Sequence, residues 1–159
     1  MKRYIKDSGF YYDIMEKLKN KYYDTLGHIF VDEILVLIDT EFEIKAPKPK
    51  AGDEEPSEEA LDKWKDKKRR AWKFNMKKIP KMYQDVFEPK KEFVLIVRQS
   101  LVEELTEAQI VAYIYSEMRK ISTDYKLQKP DVLTFSDLAE KLGRPDWDSA
   151  YDIPNILEI

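Results

Sequence analysis

The sequence predicts an α+β fold in a single domain, and three observations carry that prediction. Two short runs, 34–38 (Ile-Leu-Val-Leu-Ile) and 93–97 (Phe-Val-Leu-Ile-Val), are apolar, rich in β-branched residues and flanked by charges, as buried strands are. Between 106 and 121, apolar residues recur at helical spacing, with Ile110, Ile114, Met118 and Ile121 on one face. The length, 159 residues, suits one domain, and a chain of this size buries roughly 70% of the surface its unfolded form exposes. With 43% hydrophobic and 13% aromatic residues, the 37% charged residues do not make a disordered chain.

The elements follow in order. Phe10, Ile14 and Leu18 fall four apart, with Tyr11 and Met15 beside them, after Asp7 and Ser8 as candidate caps, which predicts a helix over 8–21. Gly27 breaks that pattern, and a central strand follows within 29–43. Pro47, Pro49, Gly52 and Pro56 stand among Lys, Asp and Glu, the composition of a mobile connection that opens a charged insertion at about 46–80. Ser57 with Glu58 and Glu59, then a basic drift toward Lys73, predicts a surface helix over 57–72.

A second buried strand is predicted at 92–99. Thr106 with Gln109 has the form of a capping box, and Leu105 with Ile110 that of a hydrophobic staple, so 106–121 is the clearest helix. Phe135, Leu138, Ala139 and Leu142 continue at helical spacing after Thr134, and Gly143 with Pro145 gives a stop. In the tail, Trp147, Tyr151, Ile153, Ile156, Leu157 and Ile159 predict a segment that packs back on the body.

Several function classes are excluded by what is missing. There is no cysteine, hence no disulfide, thiolate metal site or cysteine nucleophile, in keeping with a reducing compartment. The first 20 residues show no apolar signal region, and the longest apolar run, 110–115, is far below the ~20 residues of a membrane span, so a cytoplasmic protein is expected. The four glycines at 9, 27, 52 and 143 are isolated, which leaves no phosphate-cradling loop. The single histidine, His28 beside Gly27, lacks a nucleophile elbow or triad pattern and reads as a partly exposed or hydrogen-bonded structural residue. With 31 Asp and Glu, accidental carboxylate pairs are too frequent to single out an acid–base couple.

Charge is unevenly distributed. Residues 63–78 hold nine Lys or Arg against Asp66 alone, a net of +8, and the chain as a whole is −3, which leaves −11 for the rest. Lys63, Trp64, Lys67, Lys68, Arg69, Arg70, Trp72 and Lys73 alternate cations with aromatic rings, a composition that suits phosphate neutralisation with base stacking. It equally suits a surface helix docked by its tryptophans. Leu61, Trp64 and Ala71 share a helix face while the lysines point outward, so at least one of Trp64 and Trp72 is expected to be buried.

The order of these parts resembles the putative phage metallopeptidase family, a zincin-like group. Residues 23–39 look like its first strand and approach, 92–105 like the strand and turn before the catalytic helix, and 106–121 like that helix. Asp131, Phe135, Gly143 and Trp147 look like its downstream helix and aromatic end. Where the family has His-Glu-x-x-His, this helix reads Ser116, Glu117, Met118, Arg119, Lys120. In that motif two imidazoles four residues apart hold zinc and the glutamate activates its water. Ser116 is a poor ligand, Lys120 would set an ammonium where the metal belongs, and no histidine stands downstream near 129–131 to supply a further ligand.

The resemblance therefore implies a zincin-like α+β domain with its active site dismantled. The expectation is a non-enzyme without metal or other cofactor. The partner expected is a host protein met by a phage-derived chain, with nucleic acid at 63–78 as the alternative and no membrane. Glu117 is expected to be a solvated or Arg119-neighbouring helix residue.

Overall fold

A computed structural model describes residues 2–129, 134–144, 146–149 and 152–159. Its centre is a four-stranded sheet in the order β1-β2-β4-β3, built from β1 (Tyr4–Lys6), β2 (Ile34–Asp39), β3 (Phe74–Lys78) and β4 (Phe93–Arg98). β2 and β4 are the two apolar runs. They pair in parallel from Ile34 opposite Phe93 to Asp39 opposite Arg98, and both outer strands are antiparallel to their neighbours. The mixed α+β class read from the sequence is thus the class observed.

Helices α1 (Phe10–Lys21) and α6 (Glu107–Arg119) pack on one face of this sheet, α1 through Tyr11, Ile14, Met15 and Leu18, while Phe10, read from the sequence as part of that apolar face, is exposed at the start of the helix. Met15 and Leu18 of α1, Ile114, Tyr115 and Met118 of α6, and Ile34, Val36, Phe93, Leu95 and Val97 of the strands are all fully buried. α6 starts as its sequence predicts: Thr106 Oγ1 accepts from Gln109 N at 3.2 Å, and Gln109 Oε1 accepts from Thr106 N at 2.9 Å. Its burial exceeds one stripe, because α1, β3 and α7 (Ser136–Leu142) all pack on it. Tyr115 and Arg119 both bind the Asp137 carboxylate, which joins α6 to α7. Gly143 ends α7 at a φ of 77°, a conformation that glycine adopts without strain.

α1 is capped from outside its own first residue. Asp7 Oδ2 accepts from the Tyr11 and Tyr12 amides at 2.9 and 3.4 Å. The Tyr12 hydroxyl then donates to Ile34 O at 2.9 Å and accepts from Val36 N at 3.0 Å. β1 is only three residues long, and this phenol supplies the hydrogen bonds that a longer β1 would give to the start of β2.

The remaining helices are short, except α3 (Glu58–Arg70). α2 (Tyr23–Leu26), α4 (Lys81–Gln84) and α5 (Gln99–Val102) are single turns in the connections. α3 buries no residue of its own; Ser57 caps its start by accepting from Ala60 N at 3.2 Å. Of the tail, Trp147, Ile153 and Ile156 are buried, as expected of a segment that packs back; Tyr151 lies outside the described residues, as do Asp131 and Pro145.

Two strands depart from the sequence reading. β1 is exposed along its whole length and too short to show a period, and β3 sits inside the basic run. The 63–78 segment is therefore a helix, a turn and an edge strand, and its cations do not share one face. The first strand is also shorter than 29–43, because a 3₁₀ turn at Val31–Glu33 leads into it.

Candidate functional site

Ser116 and Glu117 on the last turn of α6, and Lys120 just after it, line one cleft of about 570 Å³. The opposite walls are the end of α3 with the turn after it (Arg69, Arg70, Trp72), strand β3 (Phe74) and the segment around Trp147. The rings of Phe74 and Tyr113 stand 5.8 Å apart, and those of Tyr113 and Trp147 4.9 Å apart, so part of the lining is aromatic. Trp147 is held by its indole N–H, which donates to Thr134 Oγ1 at 3.0 Å. Such a volume falls in the usual range of ligand clefts, but the aromatic rings share the lining with many charged side chains, among them Arg69, Arg70, Lys73, Glu117, Lys120 and Asp148.

Glu117 is not the solvated residue that its position near Arg119 suggested. It is 6% exposed, and Arg119 turns instead to Asp137. The Glu117 carboxylate accepts from the Met76 amide of β3 at 3.2 Å and pairs with Lys120 Nζ at 2.6 Å. Burial pushes its pKa above the usual carboxylate range, and the Lys120 ammonium and the Met76 N–H oppose that shift without cancelling it.

These residues do not fit a zinc ion. Ser116 offers a neutral hydroxyl, and Lys120 places a positive charge on the carboxylate that a metal would need. His28 is elsewhere, its Nε2 2.8 Å from Ile121 O, the structural role read from the sequence. Among the described residues, no group of three or more His, Cys, Asp and Glu side chains stands close enough to hold a metal.

Many cations of the basic segment are engaged, within the segment or with neighbouring carboxylates. Lys73, read as a candidate contact, is buried, and its ammonium donates to Arg69 O at 2.7 Å and Lys68 O at 3.2 Å, where it closes the C-terminus of α3. Burial lowers its pKa from the ordinary lysine value. Arg69 and Arg70 both bind Asp66, at 2.7 and 2.8 Å; Lys63 binds Glu59 at 3.2 Å, and Lys68 binds Glu104.

Neither tryptophan is buried, contrary to the expectation for at least one of them. Trp64 is half-buried, its N–H donates to Ile44 O at 2.9 Å, and the Lys68 ammonium sits 4.3 Å from its ring centroid. Trp72 is 37% exposed, with the Arg98 guanidinium over one face. The reason is local: α3 lies over the connection leaving β2 and not on the core, so docking covers each ring only in part. What the sequence did not reveal is that Arg98, Phe74, Tyr113 and Trp147 complete this region. They are far apart in the chain; the β3–β4 register brings Phe74 near Arg98, and the packing of α6 and the tail on β3 adds Tyr113 and Trp147.

No helix among the described residues is long and apolar enough to cross a membrane. No curated protein and no solved structure gives a significant match to the chain. A family model does: residues 2–155 match the one described as putative phage metallopeptidase, in agreement with the order of parts in the sequence. Since that match spans nearly the whole chain, strands, α6 and tail included, the protein belongs to the putative phage metallopeptidase family.

Proposed function

We propose that this chain is a non-catalytic binding protein, phage-derived, that keeps the cleft of its family without the chemistry and uses it to hold a host protein. One observation carries the reading: Ser116, Glu117 and Lys120 line a cleft in which an ammonium already occupies the carboxylate that metal chemistry would require. Family membership supports the phage origin. The partly aromatic lining supports a protein segment as the occupant, since rings supply large contact area at small entropic cost.

Nucleic-acid binding through 63–78 is the second reading. The exposed Lys63, Lys65, Lys67, Arg69 and Arg70 favour it. The partly covered Trp64 and Trp72 rings speak against base stacking, so any such binding would be governed by charge and weaken steeply with salt.

The test pairs an activity assay with affinity capture. Casein is incubated with the purified chain, with and without added zinc, and no cleavage is expected. In parallel, host lysate treated with nuclease is passed over the wild type and over Ser116→Trp, which fills the cleft. A protein retained by the first and lost from the second supports the reading; cleavage of casein overturns it.

A further inference from the structure

We propose that Lys120 is the obligate counter-ion of a structural carboxylate, and that the Glu117–Lys120 pair latches the outer strand β3 to α6, so that a side-chain ammonium and not a metal balances the charge at this point. The strand register explains why a latch is needed. Lys73 O accepts from Arg98 N at 3.0 Å and Ile79 N donates to Glu92 O at 2.9 Å, so the odd-numbered residues of this stretch face β4. The Met76 amide therefore faces away from β4, and β3 is the last strand of the sheet. A buried N–H there needs an acceptor from outside the sheet, and Glu117 Oε2 supplies it at 3.2 Å.

The carboxylate that does this is itself costly to bury. The Glu117 side chain is 8% exposed, and an ion so placed needs a partner or gains a proton. Lys120 supplies the partner at 2.6 Å. The other charges of the cleft are committed elsewhere or have the wrong sign: Arg69 and Arg70 bind Asp66, Lys73 closes α3, and Asp146 and Asp148 are acidic.

The two partners are not equivalent. The Lys120 side chain is 28% exposed and reaches water if Glu117 is neutralised, whereas Glu117 has no such exit. Removing the cation must therefore cost more than removing the anion, and removing both must cost little more than removing the anion alone.

A double-mutant cycle read by thermal melts at pH 7 and pH 5 tests this, with wild type, Lys120→Met, Glu117→Gln and the double variant. Lys120→Met is expected to lower the Tm by about 10 °C at pH 7, Glu117→Gln by about 3 °C or less, and the double variant to fall close to Glu117→Gln. The sign of the pH effect follows from what Lys120 does to Glu117: it holds the carboxyl pKa down against burial, so without it the folded-state pKa rises further above the unfolded value, and the resulting loss of stability is full at high pH and fades as the pH falls. The Lys120→Met deficit should thus shrink on going from pH 7 to pH 5.

Additive losses, a deficit that is the same at both pH values, or a Lys120→Met Tm within about 2 °C of wild type would overturn the latch. If Lys120→Met does not fold, a folded double variant supports the proposal and an unfolded one overturns it. Casein cleavage would sink the binding reading without touching this cycle, and an additive cycle would sink the latch without making the chain a peptidase.

Discussion

The Arg98 guanidinium lies 3.4 Å from the ring centroid of Trp72 and 3.7 Å from that of Phe42, clamped between the turn that enters β3 and the connection that leaves β2. Its Nη1 donates to Trp72 O at 3.3 Å, and burial lowers its pKa. The clamp belongs to β4, so the basic helix α3 is fastened to the sheet at its C-terminal end by stacking, and the Trp64 indole holds its middle to the connection after β2 through Ile44 O.

Trp64→Ala and Trp72→Ala should consequently act on stability. Each removes a ring–cation contact and, for Trp64, a hydrogen bond, so each is expected to lower the Tm by about 2–8 °C. Oligonucleotide binding, followed by fluorescence anisotropy across a salt series, should keep its slope in both variants. A loss of oligonucleotide affinity with an unchanged Tm would instead make the rings a stacking platform.

Ile114 sits at the centre of α6 with no exposed surface. Ile114→Val should cost about 1 kcal/mol, and Ile114→Asp several kcal/mol, because the carboxylate must be buried unpaired or protonated. Urea denaturation distinguishes the two. An Ile114→Asp midpoint equal to that of Ile114→Val would mean that the helix is not packed as described.

Asp39 ends β2 with a carboxylate that is almost wholly buried, accepting from Arg3 Nε and Nη2 at 3.0 Å each and from the Glu41 and Phe42 amides at 3.1 Å each. The Arg3 hydrogen bonds come first among the causes that hold its pKa below the ordinary value, against the effect of burial. A depressed folded pKa stabilises above the unfolded value of about 4 and is lost as pH falls through the lower folded value. Wild type should therefore exceed Asp39→Asn in stability at neutral pH, and the gap should close below about pH 4. A gap that persists unchanged at pH 2 would contradict the assignment.

Much of the fold was legible because its signals are local. The capping box at Thr106, the caps at Ser57 and Gly143, and the apolar runs of β2 and β4 each depend on residues close together in sequence. β3 was not legible: Phe74 and Met76 do alternate, but with lysines on both sides, and an outer strand needs only one apolar face. The cleft was half legible. Ser116, Glu117 and Lys120 stood out through the resemblance, whereas the burial of Glu117 depends on Met76 of β3, forty-one residues away in the chain.

The most direct test of the account is the zinc content of the purified chain by elemental analysis, after incubation with zinc and dialysis against a weak chelator. No zinc above the buffer blank is expected, because Ser116 offers only a neutral hydroxyl and the Lys120 ammonium already neutralises Glu117. One zinc per chain surviving dialysis would contradict it and would return the cleft to metal chemistry.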